Sequence, residues 1–136
     1  MIAEMLTCIA LNVYYEARSE PMNGQYAVAH VVLNRVADDS FPDDACKVVK
    51  QGYHKGKHRC QFSWYCDGKS DAIRNEKKFN KIVEFSRYFI NDYYHKDHVD
   101  ITDGALFYHA SWMEKYPKWS KTKRKLAQFD SHIFYR

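Results

Sequence analysis

The sequence predicts an α+β fold, mainly helical, with a small three-stranded antiparallel sheet. Apolar residues recur at helical spacing in three long stretches, and three short runs rich in aromatic and β-branched residues read as strands. The chain has 136 residues, 46% of them hydrophobic and 28% charged. That predicts one domain over residues 1–136, large enough to bury a core.

The first helix organises the chain. Ile2, Met5, Leu6, Ile9, Ala10 and Val13 form a stripe about 140° wide at roughly 100° per residue. Glu16 falls inside that stripe, almost in line with Met5 and Ile9. A carboxylate on the core side of a helix is costly unless it is paired or neutral. Two readings stand at this point. Glu16 is a buried structural residue tied to Arg18, Arg35 or a backbone cap, or it is a carboxylic acid with a raised pKa that can donate a proton. Glu20 lies on the same line, but Pro21 and Asn23-Gly24 end the helix there.

A second helix is predicted from Gln25 to Ala37, with Val28, Ala29, Val32, Leu33 and Val36 buried. The two helices form a hairpin that brings Gln25 toward Glu16. A short third helix spans Asp44 to Lys50, followed by the open basic loop Gln51 to Arg59. Gln61-Phe-Ser-Trp-Tyr65 alternates polar and aromatic residues and reads as a strand, closed by a turn at Asp67-Gly68. A long helix is expected from Ser70 to His95, buried through Ile73, Glu76, Phe79, Ile82, Val83, Ser86, Phe89, Ile90 and Tyr93. His95-Lys-Asp-His98 after it reads as a solvated polar turn rather than a metal site. Ala105 to His109 and Phe129 to Arg136 supply two further strand-like runs.

The net charge is +4, gathered in two basic runs, Lys47 to Arg59 and Lys115 to Lys125. A basic surface favours a polyanionic partner, such as nucleic acid, an anionic membrane surface or a bacterial wall. No stretch approaches the roughly 20 apolar residues of a membrane span. No signal peptide is expected, since the N-terminal apolar residues sit at helical spacing. Of the four cysteines, Cys8 belongs to the first helix. One disulfide is expected among Cys46, Cys60 and Cys66, whose spacing does not suit paired zinc knuckles. No metal and no cofactor are expected.

The chain lacks G-x-S-x-G, H-E-x-x-H, a P-loop and G-x-G-x-x-G. What remains is a helix-borne acid, amides that can surround it, and many aromatic rings: eleven Tyr, eight Phe and three Trp. That combination fits a carbohydrate cleft in which an acid protonates a glycosidic oxygen. Several blocks now carry a specific resemblance. They are Ala10-Leu-Asn-Val-Tyr-Tyr-Glu16-Ala-Arg-Ser-Glu-Pro21, Gly24-Gln-Tyr-Ala-Val-Ala-His-Val-Val-Leu-Asn34-Arg35-Val36, Ser40-Phe-Pro42, Cys60 to Gly68, Gly104 to His109, and His132 to Arg136. In that order the chain resembles the SleB-type cell wall hydrolases, the spore-cortex-lytic enzyme family, which also includes phage endolysins.

The resemblance implies a lysozyme-like, lytic-transglycosylase-like domain that cleaves peptidoglycan glycan strands between N-acetylmuramic acid and N-acetylglucosamine. It makes Glu16 the catalytic acid and places Gln25, Gln61, Ser63, Trp64, Tyr108 and His109 in the substrate cleft. A single acid suits a lytic transglycosylase, which closes a 1,6-anhydro ring. A hydrolase would need a second carboxylate, and Glu20 and Asp67 are the candidates. Glu20 is expected instead to pair with Arg18 or Arg35. The expected setting is a monomeric phage endolysin, held in the host cytoplasm until released to the wall, with no nucleic-acid partner and no stable membrane insertion; the alternative is a hydrolytic muramidase or glucosaminidase of a bacterial host. The competing class is a non-catalytic basic module that binds wall polymer or nucleic acid.

Overall fold

The computed structural model describes residues 2–136, without the side chain of Ile2. Four helices come first: α1 (Ile2–Ala17), α2 (Met22–Ala37), α3 (Ala45–Val49) and α4 (Glu76–Tyr93). Three strands follow: β1 (Phe107–Ala110), β2 (Lys125–Phe129) and β3 (His132–Tyr135). The sheet is antiparallel with order β1-β3-β2. The α+β, mainly helical class and the three-stranded sheet stand as the sequence predicts.

Helix α1 packs against α2, α3 and α4. Its stripe residues Ile9, Ala10 and Val13 are fully buried, and Tyr14 and Ala17 extend the buried face to the helix end. Helix α2 is buried at every position from Ala27 to Leu33. Pro21 precedes α2, so the helix starts three residues before the predicted Gln25. Gly24 sits where a Cβ would lie 3.1 Å from the Cβ of Glu20, so the α1–α2 corner closes tightly.

Helix α4 is shorter than expected. Asn75 caps it by accepting from the Lys78 backbone N–H at 3.0 Å, and the Asn75 N–H itself donates to the Tyr14 hydroxyl. Residues 70–74 therefore run as an irregular strap rather than a first helical turn. Glu76, expected on the buried face, is exposed, because the helix begins only there.

The predicted strand at Gln61–Tyr65 is instead a 3-10 turn, Ser63–Cys66. The cause is covalent. Cys60 and Cys66 are bridged with their Cα atoms 6.0 Å apart, whereas an extended six-residue step would span about 20 Å. Phe62 and Trp64 still bury their rings from this turn. The remaining strand comes from Lys125–Phe129, at the end of the basic run. It is an edge strand with a register irregularity between Lys125 and Ala127, and its exposed Lys125 and Gln128 suit an unpaired edge. Central strand β3 is buried along its whole length.

The expectation of one disulfide is corrected to two. Besides Cys60–Cys66, Cys8 of α1 is joined to Cys46 of α3, because the packing of these helices places their Cα atoms 5.3 Å apart. The two cross-links close loops of very different size, with sequence separations of 38 and 6. Chain-entropy scaling gives about 4 kcal/mol for the first and about 2 kcal/mol for the second. Chemical denaturation of Cys8→Ala/Cys46→Ala is thus expected to show the larger loss of stability, and Cys60→Ala/Cys66→Ala the smaller.

Candidate active site

The C-terminal end of α1 opens into a cleft of about 650 Å³. Four parts of the chain build its walls. Helix α1 and the turn after it contribute Tyr15, Glu16, Arg18 and Glu20; the 3-10 turn and the two residues before it contribute Gln61, Phe62, Ser63 and Trp64. Strand β1 and the loop beyond it contribute Tyr108, His109, Trp112 and Met113, and the β2–β3 turn and the start of β3 contribute Ser131 and His132. Arg35 of α2 lies in the floor.

Glu16 is half-buried on the cleft wall. Loss of water pushes its carboxyl up from the ordinary carboxylate range to about 7. The Tyr108 hydroxyl and the Arg35 guanidinium pull the other way and favour the charged form. Neither neutralises it by direct contact. No Arg35–Glu16 ion pair within 4.0 Å occurs among the described residues, and the buried Tyr108 hydroxyl makes no hydrogen bond of good geometry.

Arg35 is held elsewhere. Its Nε–H donates to the Leu106 carbonyl at 2.7 Å, and its guanidinium lies over the rings of Phe41, Phe62 and Phe107 at 4.7, 4.9 and 5.4 Å. Burial lowers its pKa to about 10, so it keeps its charge at neutral pH. The cation therefore tempers Glu16 from a fixed seat without binding it.

The two candidate second acids are both committed. Contrary to the expectation from sequence, Glu20 pairs with neither Arg18 nor Arg35. Its Oε1 accepts from the Ser131 backbone N–H at 3.1 Å and from the Ser131 hydroxyl, and lies 3.2 Å from His132 Nδ1. It ties the end of α1 to the β2–β3 turn. Asp67 accepts from the Lys69 backbone N–H at 2.9 Å, a local turn contact.

The other predicted site residues divide. Gln61 and Ser63 are exposed on the cleft wall. Trp64 is nearly buried, donates Nε1–H to Asn12 Oδ1 at 2.8 Å, and stacks on Tyr15 at 4.6 Å. His109 lines the cleft, but its ring nitrogens are both used, Nδ1 donating to the Ala110 carbonyl at 2.9 Å and Nε2 accepting from Tyr135 Oη at 2.8 Å. Gln25 does not line the cleft. Its Nε2 donates to the Ala17 carbonyl at 3.2 Å, which also accepts from the Glu20 backbone N–H at 3.0 Å, because a side chain in the first turn of α2 reaches the carbonyls ending α1 before it reaches Glu16. Sequence reasoning did not assign Tyr15, Ser131 and His132 to the cleft, and marked Trp112 and Met113 only as part of an aromatic-basic stretch, Trp112 to Lys125, able to alter substrate contacts. The resemblance blocks Ala10 to Pro21 and His132 to Arg136 carried the signal for Tyr15 and His132, and none of the blocks included Ser131. Among the described residues, no group of three or more His, Cys, Asp or Glu side chains is placed to hold a metal ion.

A helix-mounted, unpaired acid in a cleft walled by a short antiparallel sheet defines a class. A family model described as Cell Wall Hydrolase matches residues 19–135. The chain belongs to this family of SleB-type cell wall hydrolases. It is similar to the crystal structure of the catalytic domain of the Bacillus cereus SleB protein, with a TM-score of 0.67 and 28% identity, covering 97% of this chain and 89% of that one. It is also similar to the catalytic domain of the germination-specific lytic transglycosylase SleB from Bacillus anthracis, with a TM-score of 0.71 and 30% identity over 97% and 93% of the two chains. The spore cortex-lytic enzyme of Bacillus cereus is 31% identical over 122 residues, which is 90% of this chain and 40% of the relative. The chain thus spans about two fifths of the length of that curated relative. The family match begins three residues beyond Glu16, so the geometry of the cleft carries the case for that residue.

A carboxyl whose folded pKa lies above its unfolded one favours folding most when protonated. The Glu16 contribution is full below the unfolded value of about 4.5 and is lost as pH rises through about 7. Thermal unfolding of Glu16→Gln against wild type should therefore show the variant gaining relative stability between pH 4.5 and 7, and holding it above. Tyr108→Phe removes a group that favours the charged form. Titration of the Glu16 carboxyl by ¹³C NMR is expected to give a higher midpoint in that variant.

Proposed function

We propose that this protein degrades peptidoglycan by cleaving the glycan strand between N-acetylmuramic acid and N-acetylglucosamine, as a lytic transglycosylase. The observation that carries the reading is the contrast among the cleft carboxyls. Glu16 is raised toward neutrality and unpaired, while Glu20 and Asp67 are engaged in structural hydrogen bonds.

Neutral Glu16 protonates the bridging oxygen as the C1–O bond breaks through an oxocarbenium-like state. The resulting carboxylate then takes the proton from the 6-hydroxyl of the same muramic acid. That oxygen attacks C1 and closes the 1,6-anhydro ring, so Glu16 ends protonated. Water is not consumed, and no second carboxylate is needed as nucleophile or base. Gln61 and Ser63 offer exposed polar groups for the sugar hydroxyls and acetamido groups, and the Tyr15–Trp64 stack offers an apolar wall. The two disulfides support work outside a reducing compartment, and the net charge of +4 supports attraction to an anionic wall. In this reading the protein serves as an endolysin, made in the host cytoplasm and active once it reaches the wall.

Purified peptidoglycan is the test substrate. Glu16→Gln is expected to lower its turbidity-clearing rate by at least about 100-fold, the scale of a lost general acid, with the fold retained by circular dichroism. Mass analysis of wild-type products should find 1,6-anhydro-muramic ends. Reducing muramic ends would convert the assignment to a hydrolytic muramidase, and reducing N-acetylglucosamine ends to a glucosaminidase. Wild-type lysis should decline as pH rises above about 7, where Glu16 loses its proton.

A further inference from the structure

Trp112 differs from the other two tryptophans. Its side chain is 78% exposed, the most of any large hydrophobic residue among those described. Trp64 packs on Tyr15, and Trp119 packs between Phe107 and Tyr135. Among the described residues, the Trp112 indole stacks on no ring, and its N–H donates to no protein group. Leaving an indole in water forfeits the stabilisation that its burial would bring.

The loop that carries it is pinned at its base. The Ser111 N–H donates to the Ser131 carbonyl at 2.7 Å, and Tyr116 Oη donates to the Ser111 carbonyl at 3.0 Å. The Tyr116 ring lies 4.3 Å from that of His109. The indole is thus presented from a fixed stem onto the cleft that holds Glu16. Of its immediate neighbours Ser111 is polar and Met113 apolar, and Glu114 and Lys115 follow, so the apolar surface around it is small and bounded by charge rather than the broad patch that a protein partner or a membrane surface would need. A lone flat ring with one N–H donor, at the wall of a polar cleft, complements a pyranose: the ring face meets the sugar C–H groups, and the N–H meets a hydroxyl or an acetamido carbonyl.

We infer that Trp112 is a sugar-stacking platform that binds an N-acetylated hexosamine ring of the glycan strand. This rests on the glycan reading above and adds a specificity-determining residue to it. Trp112 takes no proton and touches no breaking bond. It adds contact along the strand, so it acts on binding rather than on the chemical step.

The test uses the full chain carrying Glu16→Gln, so that ligand is not consumed. It is titrated calorimetrically with the β-1,4-linked hexamer of N-acetylglucosamine, with tryptophan fluorescence followed in parallel. Adding Trp112→Ala is expected to weaken binding about five- to tenfold and to remove most of the fluorescence change, while Trp112→Phe retains part of the affinity. Thermal stability should be unchanged in both, since the ring is exposed. In the otherwise wild-type enzyme, Trp112→Ala should raise KM for peptidoglycan and leave kcat intact. Equal hexamer affinity with and without the ring, no hexamer binding at all, or a fall in kcat at unchanged KM would each overturn the assignment. The glycan-cleavage reading fails on a different result, namely wall lysis that survives Glu16→Gln.

Discussion

An unpaired carboxyl at the end of the central helix is the constraint on which the site depends. Glu16 continues the apolar stripe of α1 into a region where the core gives way to a cleft. Burial alone would make it a weak acid, and a direct salt bridge would make it a permanent anion. The structure avoids both extremes. Arg35 is near enough to temper the shift, yet its guanidinium is bound to the Leu106 carbonyl and enclosed by three phenylalanine rings.

The cleft walls are fixed by contacts distant in sequence. Trp64 hangs from Asn12 across 52 residues, and Glu20 grips Ser131 across 111. The Cys60–Cys66 bridge folds the intervening segment so that buried Phe62 and Trp64 anchor it while Gln61 and Ser63 stay exposed. These ties bring α1, the 3-10 turn and the β2–β3 turn around one acid. A preorganised wall of this kind limits the ordering cost of binding a long, flexible polymer.

Much of the scaffold was legible because helical periodicity is a local property. The α1 stripe, the buried face of α4 and the central strand β3 follow from apolar spacing, and the same phase picked out Glu16 as anomalous. Legibility failed where local pattern and covalent closure disagreed. Gln61–Tyr65 alternates as a strand would, but a disulfide shortens it into a turn. Lys125–Phe129 reads as the end of a charged run, yet pairing with β3 makes it a strand. Gln25 starts α2 beside the end of α1 as expected, and the Ala17 carbonyl there captures its side chain short of Glu16.

The sequence by itself determined the fold class, the main helices, the family resemblance and the candidate acid, since each rests on spacing or on residues close together in the chain. Tertiary structure alone decided the protonation balance of Glu16, because desolvation and the distance to Arg35 belong to no local segment. It also decided the pairing of Cys8 with Cys46, the commitment of Glu20 to Ser131 and His132, and the exposure of Trp112. Each of those depends on which surfaces meet. The helix that began as a hydrophobic stripe becomes the mount for an unpaired acid only when three remote segments close a cleft around its end.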